Sequence, residues 1–342
     1  MRRAGLAAAV AAAVAAGLLA LACAHPRSSA GGAPPAEEPA KTPEPAGPRA
    51  FAWAISRPGS AAPPLVIAGS VHLGQPGQLV LPPSVESAFS AAQVLVVEVD
   101  AGKVPREHAQ ALLGQMGLYT PPDSLSDHLA PETRALLPAA LARVGLAPPS
   151  VEPIRPWFLA TMLGILEMQK AGYAQDGGVD HDLITRARGE KQIVELESLE
   201  EQIGALAGMG DPQQDLLLRE QLAEGPRTGT SMAEAIDAWQ RGDAPAVERL
   251  VFDRANDPRY APVYESLYFA RNRRMATAIG ALVDRPAPHF VVLGAGHLVG
   301  EKGIIAELAR AGFTVRQLAG APPGLVQPVV PPAPAAQNGQ RE

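Results

Sequence analysis

Two apolar runs far apart in this chain end in the same way. Leu65-Val66-Ile67-Ala68 leads into Gly69-Ser70-Val71-His72-Leu73, and Phe290-Val291-Val292-Leu293 leads into Gly294-Ala295-Gly296-His297-Leu298. A short apolar run bounded by glycine reads as a strand buried on both faces, the kind used by parallel sheets. Ligands of such sheets bind beyond the carboxyl ends of the strands. Gly69 and Gly294 let the chain turn there and let a ligand approach the backbone. A histidine three residues on, His72 or His297, can bind a metal through a neutral nitrogen or move a proton near neutral pH. The two turns share a site only if their strands are neighbours.

The surrounding pattern predicts an α/β fold. Strands are expected at 51–55, 65–70, 94–99, 192–196, 290–293 and 314–318, with helices at 83–92 and 301–311. Strand, helix, strand is the rhythm of a parallel sheet. Between its halves, about 105–256, the periodicity is mostly helical. We therefore expect a mixed, mainly parallel central sheet flanked by helices, with a large helical insertion. A long helix is expected over 262–284, and the whole domain over 50–320.

Several polar residues sit where apolar ones are expected. Glu98 falls within the strand pattern Val94-Leu95-Val96-Val97-Glu98-Val99, where a charge is costly without a partner. At the strand's end it points to the same rim as the histidines, and Asp100 shares its side if the strand continues. Asp180 lies within the apolar stripe Val179, Leu183, Ile184 and Ala187, as an N-cap or a salt-bridge partner, for instance to Arg271. Arg271 and Asn272 interrupt the stripe of Tyr264, Tyr268, Met275, Ile279 and Leu282. Glu197 follows a short strand. Buried polar groups need partners, so these positions are functional candidates.

The ends of the chain read as an address. Met1–Arg3 is a positive start, residues 4–21 are apolar and uncharged, and residues 1–22 form a secretory signal. The run Leu19-Ala20-Leu21-Ala22-Cys23 resembles a lipoprotein signal, in which Cys23 is lipidated; Ala24 favours the outer membrane. A soluble periplasmic protein or a retained anchor are the alternatives. Residues 23–49 and 321–342 are rich in proline and alanine and read as a tether and a disordered tail.

Composition narrows the chemistry. A net charge of −6 without a basic block argues against nucleic acid. The single cysteine, Cys23, excludes an internal disulfide and a cysteine-rich metal site. No Gly-x-Ser-x-Gly elbow occurs, and Gly294 and Gly296 lack the third glycine of a dinucleotide fingerprint.

Taken in order, these motifs resemble the TraB/GumN family, related to the Tiki proteins. The resemblance spans about residues 50–318. It rests on Gly69-Ser70-Val71-His72, Glu98, Gly178-Val179-Asp180, Glu195-Leu196-Glu197, Arg271-Asn272 near Met275, and Gly294-Ala295-Gly296-His297. It implies a sheet with helical insertions, like that of the erythromycin-esterase and ChaN group. It also implies a metal-dependent hydrolase or protease with His72, Glu98, His297, Arg271 and Asn272 as its active-site set. On this reading His72 and Glu98, with His297, hold a divalent metal or activate a water, and Arg271 or Asn272 stabilises an oxyanion. The substrate is a peptide or another small acyl-type molecule of the cell envelope. The alternative is a non-catalytic envelope module that captures a peptide or a cofactor such as haem in the same cleft.

Overall fold

The computed structural model describes residues 47–75 and 77–320. The secretory signal, Cys23, nearly all of the tether and the tail lie outside the described residues. Six strands form one sheet: β1 (Arg49–Ser56), β2 (Leu65–Ser70), β3 (Val94–Val97), β4 (Gln192–Glu195), β5 (His289–Gly294) and β6 (Thr314–Ala319), in the order β4-β3-β5-β2-β1-β6. The four strands β4, β3, β5 and β2 run parallel, and β1 is antiparallel to both β2 and β6. The sheet is therefore mixed and mainly parallel, as expected.

Burial explains this order. Every residue of β2 and β3 is buried, as is all of β5 after His289. Such runs can sit only in the middle of a sheet covered on both faces. The outer strands differ. β4 is four residues long with Gln192 and Glu195 exposed, and β6 alternates exposed with more buried positions. Short, polar edges discourage pairing with other chains.

The central register positions the site. β5 lies between β2 and β3, with Ser70 opposite Gly294 and Val97 opposite Val292. The two Gly-x-x-His segments thus leave the sheet side by side, and Glu98 leaves it on the other flank of β5. At one margin, β1 and β6 pair from Ser56 opposite Thr314 to Arg49 opposite Ala319.

Helices cover the sheet and build the insertion. α1 (Pro83–Ala91) links β2 to β3. The insertion contains α2 (Arg106–Gly117), α3 (Pro131–Arg143), α4 (Pro156–Lys170), α5 (Val179–Ala187), α6 (Leu199–Ala207), α7 (Asp211–Glu224), α8 (Thr228–Gln240) and α9 (Ala244–Val251). α4 is buried nearly all round, from Pro156 to Ile165 and again at Met168, and packs against α6, α7 and α8. A helix apolar on all sides belongs at the centre of its layer. Ser198 and Glu201 form a reciprocal capping box that starts α6. Among the described residues no helix is long and apolar enough to cross a membrane.

The expected long helix 262–284 is not uniform. It begins as α10 (Ala261–Tyr264), passes through a π-helical turn at Glu265–Phe269, continues as α11 (Ala270–Gly280) and ends four residues early. Single π-turns are uncommon and recur beside functional sites. This one immediately precedes Arg271 and Asn272. The last helix, α12 (Ile304–Arg310), begins three residues later than expected because Gly303 occupies its N-cap.

Candidate functional site

The carboxyl rim of β3, β5 and β2 gathers His72, Glu98 and His297 around Gly294. A Cβ added at Gly294 would stand 2.8 Å from His72 Nε2, 3.3 Å from Glu98 Oε1 and 3.7 Å from His297 Cδ2. The φ of Gly294 is −51°, so its backbone needs no glycine; the space does. Gly69 differs. A Cβ there would fall 2.3 Å from the Phe51 ring, and its carbonyl accepts from Trp239 Nε1 at 2.8 Å. Gly69 serves close packing beneath the rim.

Each histidine is fixed by its Nδ1. His72 Nδ1 lies 2.9 Å from Asp180 Oδ2. The carboxylate can only accept, so Nδ1 carries hydrogen and Nε2 turns toward Gly294. Asp180 therefore pairs with His72, and not with Arg271 as the stripe on α5 suggested. His297 Nδ1 lies 2.6 Å from Asn272 Oδ1, while Asn272 Nδ2 donates to the Lys302 carbonyl at 2.9 Å. That second bond fixes the amide's orientation, so His297 Nδ1–H is the donor and its Nε2 keeps a lone pair. This Nε2 stands 3.6 Å from Glu98 Oε2.

Glu98 is held from several sides. Oε1 accepts from the Gly294 amide at 2.6 Å, and Oε2 accepts from Arg271 at 2.9 Å and Gln202 at 3.3 Å. Arg271 also forks onto Glu197, with bonds of 2.6 to 3.0 Å, and donates to the Leu267 carbonyl. Arg274 donates to Glu197 from outside at 3.1 Å. Arg271 is only 1% exposed, and its donors are turned to carboxylates and to its own helix. Asn272 has spent both amide atoms. Arg271 is thereby fixed against Glu98 and Asn272 against His297. Asp100 also departs from expectation. β3 ends at Val97, and Asp100 instead receives Arg188 at 2.7 Å, away from Glu98.

Burial and charge push the titrations apart. Burial alone would lower His72, but the Asp180 carboxylate, by charge and hydrogen bond, outweighs it and raises the imidazole to about 9. Burial would raise Glu98, yet His297, Arg271, His72 and the Gly294 amide together hold it down to about 2. Burial also dominates His297, which the positive charges of Arg271 and His72 help to push down to about 3 against the pull of Glu98. The permanent charge of Arg271 thus favours the ionised form of Glu98 and the neutral form of His297.

These shifts fix a pH profile for the metal-free protein. An unfolded His297 binds a proton below about 6.5 and the folded one only near 3, so stability falls as pH drops through that window. Glu98 adds to the loss as pH falls from 4.5 to about 2. His72 runs the other way. Its contribution is complete below 6.5 and disappears as pH rises through about 9. Urea denaturation across pH should therefore show a maximum near pH 6.5, with limbs approaching ~1.4 kcal/mol per pH unit for each group. Asp180→Asn should flatten the alkaline limb alone.

The donor chemistry suits a divalent cation. Two imidazoles have their second nitrogens tied to a carboxylate or an amide oxygen, the usual support for metal-binding histidines, and one carboxylate faces both. Gly294 leaves room between them. Among the described residues, no three such side chains are already drawn to ligating distance. The ligands would be His72 Nε2, His297 Nε2 and Glu98.

Beside His72 lies a cavity of about 10 Å³, lined by Ser70, His72, Glu98 and Asp180 with apolar neighbours that include Ile184. It has room for a water and not for a peptide. Gln202 escaped the sequence reading although it is fully buried on α6, among Leu199, Ile203 and Leu206. The rule that singled out Asp180, a polar residue on an apolar face, would have found it.

The family model described as "TraB/PrgY/gumN family" matches residues 51–317. The chain is similar to the uncharacterized protein YbaP of Escherichia coli (strain K12) and of Shigella flexneri. Each is 24% identical over 236 residues, covering 68% of this chain and 83% of the relative. No solved structure matches the chain.

Proposed function

The chain belongs to the TraB/PrgY/gumN family, and from that premise we propose that it is a metal-dependent hydrolase of peptide or other acyl-type bonds in the cell envelope. The observation that carries this reading is the convergence of His72, Glu98 and His297 on the space above Gly294. When bound there, a divalent cation would polarise the substrate carbonyl and lower the pKa of water.

The chain's own residues supply the rest. Asp180 Oδ2 holds His72, while Oδ1 has no hydrogen-bond partner among the described residues, and Asp180 lines the cavity. That oxygen is the base that takes a proton from the attacking water. The water's oxygen joins the acyl carbon, the bond to the leaving atom breaks, and the proton passes from Asp180 to that atom. Asn272 holds His297, and Arg271 with Gln202 holds Glu98, so neither ligand has to be ordered when substrate arrives. We further propose that Cys23 is lipidated and tethers the domain to the outer membrane, facing the periplasm.

The test is elemental analysis of wild type and His72→Ala, with cleavage of a peptide and ester library. We expect about one divalent ion per wild-type chain, little in the variant, and hydrolysis that Glu98→Gln abolishes. A folded His72→Ala protein with unchanged metal and turnover would remove the mechanism. Tight peptide or haem binding without turnover would favour a capture module instead.

A further inference from the structure

We infer that the cavity between β2 and α5 is a built water site, and that Ser70 positions the water consumed in hydrolysis. The water site stands on its own; its use rests on the hydrolase reading above. Ser70 ends β2 and is fully buried, and its Oγ has no hydrogen-bond partner among the described residues. Asp180 Oδ1 is another buried oxygen without one, and both residues line the same cavity. Buried hydroxyls and carboxylate oxygens without partners are rare, and water is the usual partner where space allows. The space is about 10 Å³, close to one water, and His72 and Glu98 complete a polar wall.

The matching turn supplies a control within the same fold. Ala295 occupies in the second Gly-x-x-His segment the place that Ser70 occupies in the first. Ala295 borders a different cavity, with Val71 and Trp239, whose lining is apolar. The turn therefore does not itself demand a hydroxyl. The serine is on the side where a carboxylate oxygen also lacks a partner. A water there is bonded to Ser70 Oγ and to Asp180 Oδ1, the group that would accept its proton.

The experiment compares crystal structures of the full chain as wild type, Ser70→Val and Ser70→Thr, at a resolution that shows ordered waters, with steady-state kinetics on the best library substrate. We expect one ordered water on Ser70 Oγ and Asp180 Oδ1 in wild type. Valine should displace it; threonine should keep it. Ser70→Val should lower kcat on the order of ten- to a hundred-fold with KM unchanged, and Ser70→Thr should restore it. A wild-type cavity without ordered water would overturn the site. Water present but kcat indifferent to Ser70→Val would overturn the positioning role. An ordered water in a protein that hydrolyses nothing would leave the site standing and remove its catalytic use together with the hydrolase reading.

Discussion

Arg271→Met is expected to destabilise the fold by about 3–5 kcal/mol, the largest effect of any single substitution near the rim. Among the described residues Arg271 is the only positive charge bonded to Glu98, and it bonds Glu197 through a fork; the three residues are 1%, 6% and 4% exposed. Removing it leaves two buried carboxylates, of which only Glu197 retains a cation, Arg274. Breaking one side of such a network costs more than the network contributes, because the desolvated charges remain. Arg271→Lys should rescue only part of the loss, since a lysine cannot fork onto one carboxylate while reaching another. Urea denaturation gives the measurement. An unchanged midpoint for Arg271→Met would mean that the network does not hold the rim.

Gly294→Ala should have the opposite profile, with a small stability cost and a large functional one. The backbone at 294 accepts an alanine, since φ is negative, but the methyl group would meet His72 Nε2 and Glu98 Oε1. These are side-chain tips, which move away more cheaply than backbone does. Moving them by a fraction of an ångström opens the ligand set. Metal content should fall and turnover should drop by about a hundred-fold, while the melting temperature changes little. Gly69→Ala is the control. Its methyl would strike the buried Phe51 ring, so stability should be lost there first. A Gly294→Ala protein with full metal and full turnover would show that the space above Gly294 is not the site.

The architecture was legible because buried parallel strands need uninterrupted apolar runs, and Leu65–Ala68, Val94–Val97 and Phe290–Leu293 have nothing else to be. The candidate residues were legible because polar groups such as Glu98 and Arg271 broke those patterns. Their partners were not. Asp180 reaches His72 across 108 positions and Arg271 reaches Glu98 across 173, and no periodicity carries information over such separations. The π-turn also escaped, since a one-residue insertion shifts a helical stripe without abolishing it. Nothing in the sequence around Ser70 sets it apart. Only its missing hydrogen-bond partner, a property of three dimensions, distinguishes it.

The pairing of β1 with β6 brings the two ends of the folded region together. β1 runs antiparallel to β2, so Arg49 enters the sheet at the level where β2 gives way to His72, and Ala319 leaves opposite Arg49. Both ends of the folded region therefore emerge at the level of the sheet's carboxyl rim, where His72, Glu98 and His297 meet. If Cys23 is lipidated as proposed, an attachment ahead of Arg49 would hold that rim toward the membrane.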